Sequence, residues 1–478
     1  MPDRQAADAV RGRIDWKYLL GLPLDDPGFD ATVLCTFRRR LVQGEAEYVL
    51  LDTLLNLFKE KGWLTSRSRQ RTDSTHVLAK IRALNRLMCV GEAMRFALNS
   101  LAVIDGDWLL EHSDATWIER YGHRIEETDF PKGQAERQVV AETIGRDGFT
   151  LLTDLWDAST PAWLHEIPAV DLLRRIWMQN YLIEEGQILW REHENIPPAT
   201  HFLNSPYDSE ARFGKKYSLM WTGYKVHLTE TCERGTPHLI THVATTPAPV
   251  TDEQMTTPIQ RDLVQAELAP SQHFLDTGYV TSRTLVTSQN DCGIEMIGPA
   301  PQDVKWQAQA NQGFDASHFL INWQQQQATC PQGHTSASWT PAGDNRGKQV
   351  IKIKFSIKDC GSCPSRQQCM HSEKPYPRRT LTVRPQEQHE ALQAARSRQH
   401  TAAFAQAYTL REGIEGTISQ GVRAFDLRRS RYIGLSKTHL QHVGIAAAIN
   451  LVRAVAWIEG EVPVSTRSSA FQRLFYET

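Results

Sequence analysis

Between Tyr224 and Thr245 the chain changes its period. Tyr224, Val226 and Leu228 alternate with Lys225, His227 and Thr229, and after the turn-rich Cys232 to Pro237 comes His238-Leu-Ile-Thr-His-Val-Ala-Thr245. Alternation of this kind predicts two paired strands with one face buried. The preceding two hundred residues repeat at three and four instead. Leu50, Leu51, Leu54, Leu55 and Phe58 mark one amphipathic helix, stopped by Gly62, within a mainly helical stretch from Trp16 to Trp63. Ile81, Leu84, Leu87, Met88, Met94, Leu98 and Leu101 mark another, and the helical pattern continues to about Trp190. The chain must therefore be mixed, with a sheet whose strands come from distant segments and a large all-helical insertion between them.

Past a helix beginning near Asp252, the apolar run His273-Phe-Leu275 ends in Asp276-Thr-Gly-Tyr279, a strand running into a loop. The region from Pro299 to Pro385 is rich in Gln, Lys, Arg and Cys, and helices resume from Glu387 to Gly460. The 478 residues suggest two to four structural units. Hydrophobic residues at 41% and charged residues at 23% are ordinary for a globular chain. No run approaches the roughly 18 consecutive apolar residues of a membrane helix, and Met1 to Trp16 holds no apolar signal core. The expectation is a cytoplasmic protein without a membrane span. A net charge of −2 hides an uneven distribution: Asp105 to Glu194 carries 19 acids against 8 bases, Arg346 to Arg384 carries 10 bases against 2 acids. The second region suits phosphate, the first repels it.

Three short segments each offer one carboxylate in a defined setting. Asp73 follows an extended Arg-Gln-Arg-Thr, although a helix N-cap is an equal local reading. Asp276, before Thr-Gly, reads alone as a turn residue or a metal ligand. Tyr408, Arg411 and Glu415 are spaced by three and four and share one helical face, while Leu410, Ile414 and Ile418 form an apolar stripe. A surface ion pair is the bland alternative.

Taken together, the three segments resemble the DDE transposases of bacterial insertion sequences, where a strand Asp, a strand-end Asp-x-Gly-Tyr and a Tyr-x-x-Arg-x-x-x-Glu helix follow in this order. The phrases Asp15-Trp-Lys-Tyr-Leu-Leu-Gly-Leu, Pro206-Tyr-Asp-Ser-Glu-Ala-Arg212, Gly223-Tyr-Lys-Val-His-Leu228 and Ile414-Glu-Gly-Thr-Ile-Ser-Gln-Gly-Val-Arg-Ala-Phe425 resemble the insertion-sequence family eleven-eighty-two, over about Arg11 to Trp457. The resemblance implies a ribonuclease-H-like core that gathers Asp73, Asp276 and Glu415 across separations of 203 and 139 residues. It implies Mg²⁺ or Mn²⁺ at these carboxylates, cleavage of element ends by water, and joining of the freed 3′-hydroxyl to target DNA. It also implies double-stranded DNA as partner, a homodimer assembled on it, and DNA contacts by Tyr408, Arg411 and Arg423. Where neighbouring families place a Lys or Arg, this chain has Val422, with Arg423 one further along. Family members have a further N-terminal stretch, so an element-end-binding part is expected to be missing. A truncated product acting only as a zinc-containing DNA-binding protein is the alternative. The expected division is an N-terminal helical region, a candidate for DNA binding (1–68), a first core strand (69–78), a helical insertion (79–203), the catalytic core (204–298), a basic Cys-rich insertion (299–385) and C-terminal helices completing the core (386–478).

Cys330, Cys360, Cys363 and Cys369 fall within 40 residues, and Cys360-x-x-Cys363 has the spacing of a zinc half-knuckle. In a reducing compartment the cluster suggests Zn²⁺, with His334 as an alternative to Cys330 and free thiols as the other reading. Cys35, Cys89, Cys232 and Cys292 are isolated and read as buried small hydrophobes. His227 and His242 read as structural, and Trp163, Trp177 and Trp190 as packing of the helical insertion.

Overall fold

The computed structural model describes residues 1–81, 84–309, 313–345, 347–371 and 376–460; Arg346 and 461–478, which belong to the basic stretch and the last segment, lie outside them. Strand β1 (Gln70–Leu78) is followed, after a long helical stretch, by a hairpin of β2 (Tyr181–Glu184) and β3 (Gln187–Trp190), then by β4 (Arg212–Lys216), β5 (Leu219–Thr231), β6 (Ile240–Pro247), β7 (Gln272–Leu275) and β8 (Glu295–Ile297). One sheet holds six of these. Its order is β6-β5-β1-β7-β8, with β4 also on β5. β5 runs antiparallel to β1 and β6, whereas β7 is parallel to β1 and β8 parallel to β7. The result is a mixed α/β core, broadly consistent with a ribonuclease-H-like fold.

Both faces of the sheet are covered, which is why β1 shows little alternation in burial. Arg71 and Asp73 on β1 share a face with Leu228 and Glu230 on β5, their partners across the ladder. The C-terminal helices Gly413–Phe425 and Leu435–Ile458 pack here through Ile414, Ile418 and Val443. Thr72 points the other way, bonded to Thr229 and His273, towards the helices Asp252–Gln265 and Ser282–Cys292 that carry Gln260 and Ser288. The helix Val49–Glu60, in the segment expected as a separate N-terminal region, buries Leu51, Leu55 and Phe58 in this same core.

The insertion has its own core, built around Leu101, Leu151, Leu173 and Trp177. Its helices stop at Asn180, short of Trp190, because Glu185 and Gly186 both take positive φ, 50° and 79°, the requirement of a two-residue hairpin turn. Trp177 is buried and the Trp190 ring lies under the Arg86 guanidinium at 3.8 Å, but Trp163 is exposed and packs no core. Two helices, Arg86–Ile104 and Leu435–Ile458, are long and apolar enough to cross a membrane by length and composition alone. Here both contribute side chains to the protein cores.

The Cys-rich region forms a module of short strands: β9 (Leu320–Asn322) pairs with β10 (Gln327–Thr329), and β11 (Ser338–Gly343), β12 (Gln349–Lys354) and β13 (Thr380–Val383) make a three-stranded antiparallel sheet. Its core is small, centred on Phe319, Ile353, Phe355 and Leu381. Of the isolated cysteines, Cys89 and Cys232 are buried and Cys292 partly so. Cys35 is exposed, because its helix, Ala31–Gln43, buries no residue, and its thiol donates to Asp3 Oδ2 at 3.1 Å.

Candidate active site

Asp73 and Asp276 are brought together by backbone register. In the parallel pairing of β1 and β7, Gln70 faces His273 and Thr72 faces Leu275, so the next residue along each chain is an aspartate. Neighbouring strands lie roughly 4.8 Å apart. Asp73 lies inside β1, not at a helix start, and its Oδ1 accepts from the Ser74 N–H at 2.7 Å. Asp276 is both a strand end and a turn residue: it caps the 3₁₀ turn Thr277–Tyr279, accepting from the Thr277 N–H at 2.6 Å. Burial pushes the Asp73 carboxyl above the usual aspartate value, against the pull of the Arg411 guanidinium, with Asp276 adding to the rise.

The third carboxylate arrives differently from the expected single helix over 408–415. Helix Ala402–Tyr408 ends at the tyrosine, Thr409–Glu412 is a 3₁₀ turn, and a new helix runs Gly413–Phe425. The break has a visible cause. Arg71, two residues before Asp73 and on the same face of β1, donates to the Leu410 carbonyl at 2.6 Å. A side chain on Gly413 would collide with that guanidinium. Tyr408, stacked on Phe404, donates to the carbonyl of Leu275 at 3.3 Å and so ties the turn to the end of β7. Ile414 and Ile418 bury in the main core, while Leu410 joins a smaller cluster with Phe274 and Phe404. Glu415 emerges in the first turn of the new helix, 65% exposed. Arg411 connects it to the strand, with Nη2 donating to Asp73 Oδ2 and Nη1 to Glu415 Oε1, each at 2.6 Å. Arg423 is exposed further along the same helix, and Val422 packs against the core.

Several residues around the site had no sequence signal. Glu230, fully buried, accepts from Arg71 and Arg453 at 2.7 Å each and from the Thr417 hydroxyl at 2.6 Å. This knot fastens β1, β5 and two C-terminal helices directly behind the carboxylates. Burial alone would raise the Glu230 carboxyl, but Arg453 and Arg71 hold it below its ordinary value. A further carboxylate, Asp252, accepts from Ser74 Oγ at 3.0 Å and Lys225 Nζ at 3.1 Å. Nothing in the sequence linked Arg71 to Glu230, 159 residues away. His227 and His242 are each held through one ring nitrogen: the first bonds the Tyr279 hydroxyl at 2.7 Å, the second Asp262 at 3.0 Å. Asp208 is buried and accepts from the Tyr224 hydroxyl at 2.7 Å.

Carboxylate oxygens are the donors that Mg²⁺ and Mn²⁺ prefer, and a desolvated aspartate beside a second one calls for a cation. The donor set fits such an ion, although among the described residues no three His, Cys, Asp or Glu side chains already stand as a metal cage. The same holds for the Cys module. There Cys330, Cys360, Cys363 and Cys369 line one cavity of about 20 Å³ with His334, room for a single small ion or water. Cys330 begins a tight turn, its carbonyl accepting from Gly333 N–H at 2.9 Å, and Cys360 Sγ accepts from the Arg379 N–H at 3.4 Å.

Two stretches of the chain match family models. Residues 329–455 match the transposase DDE domain, and residues 1–40 match the transposase domain DUF772. The first match spans the four clustered cysteines and the Tyr408–Glu415 turn, and the second ends within the helix Ala31–Gln43. No curated protein and no solved structure gives a significant match.

Proposed function

We propose that this chain is a DNA transposase that cuts the ends of an insertion sequence and joins them to target DNA, with Asp73, Asp276 and Glu415 as its reactive carboxylates. The observation that carries the reading is the register of β1 and β7, which sets two aspartates side by side next to a segment matching a transposase DDE domain. Asp73, Asp276 and Glu415 would hold divalent metal, Mg²⁺ or Mn²⁺, which when bound activates an attacking oxygen and stabilises the leaving one. Asp73 lies within β1 and Asp276 directly follows β7, so the two acids come from neighbouring parallel strands of the sheet.

The chain's own residues position the substrate and the acids. Arg71 and Tyr408 fix the 3₁₀ turn against β1 and β7, so that Arg411 reaches both Asp73 and Glu415. Arg411 and Arg423 supply guanidinium groups for DNA phosphates, and the basic Cys module extends that charge. Chemistry proceeds as two phosphoryl transfers: water attacks the phosphodiester at the element end and releases a 3′-hydroxyl, then that hydroxyl attacks a target phosphodiester and expels the target's own 3′-oxygen. Phosphate is exchanged between oxygens throughout, so no nucleotide cofactor is required. The reading implies a homodimer on paired ends, working in the cytoplasm. Zn²⁺ in the Cys module is a second, structural metal in this proposal, supported by four thiols lining one small cavity.

The test is a cleavage and joining assay on a duplex carrying the inverted repeats that flank the reading frame. Wild-type chain with Mg²⁺ should nick at the repeat end and join it to a second duplex, and Asp73→Asn or Asp276→Asn should do neither while still retarding the duplex in a gel. Cleavage that persists in excess EDTA, or in either variant, refutes the reading.

A further inference from the structure

Arg411 is oddly bonded for an arginine beside two carboxylates. A guanidinium normally grips one carboxylate with two parallel N–H donors. Here the fork is split, with one nitrogen on Asp73 of the central strand and the other on Glu415 of the following helix. The third nitrogen, Nε, is buried without any hydrogen-bond partner. Only 13% of the side chain is exposed, and Asp276 is among the charges acting on it. The Arg411 cation therefore bridges two of the three carboxylates assigned to the reaction, with the charge of the third acting on it, at the cost of an unsatisfied donor.

We propose that Arg411 is a placeholder cation: it holds the carboxylates together when no divalent ion is bound, and it leaves that position when the ion enters. This rests on the reading of Asp73, Asp276 and Glu415 as the metal-binding acids. Two cations cannot share the space between the same oxygens without strong repulsion, so ion binding and Arg411 departure are one linked event. The backbone suits such a movement. Arg411 lies on the 3₁₀ turn Thr409–Glu412, a geometry with weaker internal hydrogen bonds than an α-helix, and the contacts of Tyr408 and of the Leu410 carbonyl fix the backbone just before it rather than its side chain. Glu415 is the acid that gains freedom, being mostly exposed. Released from the acids, the guanidinium becomes available to a DNA phosphate, so metal loading also prepares the DNA contact.

Two measurements on the full chain without DNA test this. Mn²⁺ titration followed by the spin resonance of free Mn²⁺ compares wild type with Arg411→Gln, Arg411→Ala and Asp73→Asn. Separately, an arginine-selective dicarbonyl reagent is applied with and without Ca²⁺ or Mn²⁺, and modification at Arg411 is read by peptide mass spectrometry. The expected result is that both Arg411 variants bind Mn²⁺ about tenfold more tightly, inside the usual range of linked-site coupling, and that metal raises Arg411 modification severalfold. Asp73→Asn should lose Mn²⁺ binding. If wild type binds Mn²⁺ and Asp73→Asn does not, yet Arg411 modification stays flat or the Arg411→Gln affinity is unchanged, the placeholder role is wrong and the metal site stands. If Mn²⁺ binding is absent, or indifferent to Asp73→Asn, the metal-site reading itself falls and the placeholder role with it. Arg411→Gln keeps hydrogen-bonding capacity without the charge, so it remains informative if Arg411→Ala does not fold.

Discussion

At the scale of single residues, the choice between Glu412 and Glu415 turns on where the helix begins. Both are exposed and three positions apart, a spacing that puts them on one helical face. Only Glu415 is bonded to the arginine that also holds Asp73. Glu412 ends the 3₁₀ turn, immediately before the new helix. Replacing each by Gln should separate them in a Mn²⁺-dependent cleavage assay. Glu415→Gln is expected to lose several orders of magnitude in rate, as loss of a metal-binding acid does, whereas Glu412→Gln should change the rate by less than about threefold. The reverse pattern would reassign the third acid. Spacing in the sequence named the bonded pair because the backbone keeps helical dihedrals from Tyr408 through the turn to Gly413, so residues four apart still meet across it.

At the scale of elements, the site depends on a buried ionic knot. Glu230 of β5 binds Arg71 of β1 and Arg453 of the last helix, all of them largely removed from water. Breaking a buried pair leaves the remaining charges uncompensated, so Glu230→Ala should cost about 3–5 kcal/mol in denaturant unfolding. The pH dependence follows from the depressed carboxyl. Because Glu230 ionises more readily folded than unfolded, its stabilisation is present above the ordinary glutamate pKa and is lost as pH falls through the lower folded value. Acid unfolding of the wild type should therefore begin in that window, and the stability gap between wild type and Glu230→Gln should close there; a gap constant down to pH 2 would contradict the assignment. The start of the helix carrying Glu415 has its own requirement. Gly413→Ala puts a methyl group against the Arg71 guanidinium. The expected outcome is a loss of about 1–3 kcal/mol, typical of overpacking, with cleavage falling further than stability alone explains because the turn bearing Arg411 must shift.

At the scale of the whole molecule, the described residues form three larger hydrophobic cores, in the sheet with its helices, the helical insertion and the Cys module, besides the small cluster around Phe274 and Phe404. The third is too small to be secure without help, as small modules commonly need a metal or a cross-link. Protein purified without chelator should contain about one zinc per chain, and Cys360→Ser with Cys363→Ser should remove it. Elemental analysis finding no zinc in the wild type would leave the four thiols as ordinary packing groups. What the sequence determined by itself was whatever rests on local periodicity and short spacing: the alternating strands β5 and β6, the helix from Asp252, the run into Asp276, the Tyr408 to Glu415 spacing and the Cys cluster. It overran the helices to Trp190, because apolar residues in a short hairpin mimic a helix until two consecutive positive-φ residues are known. It buried Cys35 and Trp163 on residue type, although Cys35 meets the polar Asp3 at an exposed edge of the first helix and Trp163 is half exposed. Tertiary structure alone decided the pairing of β1 with β7, the break at Leu410, the Glu230 knot and the position of Arg411 between the acids. Each of these joins residues more than a hundred positions apart, and such contacts are set by which strands and helices pack together, a property that no local window of the chain contains.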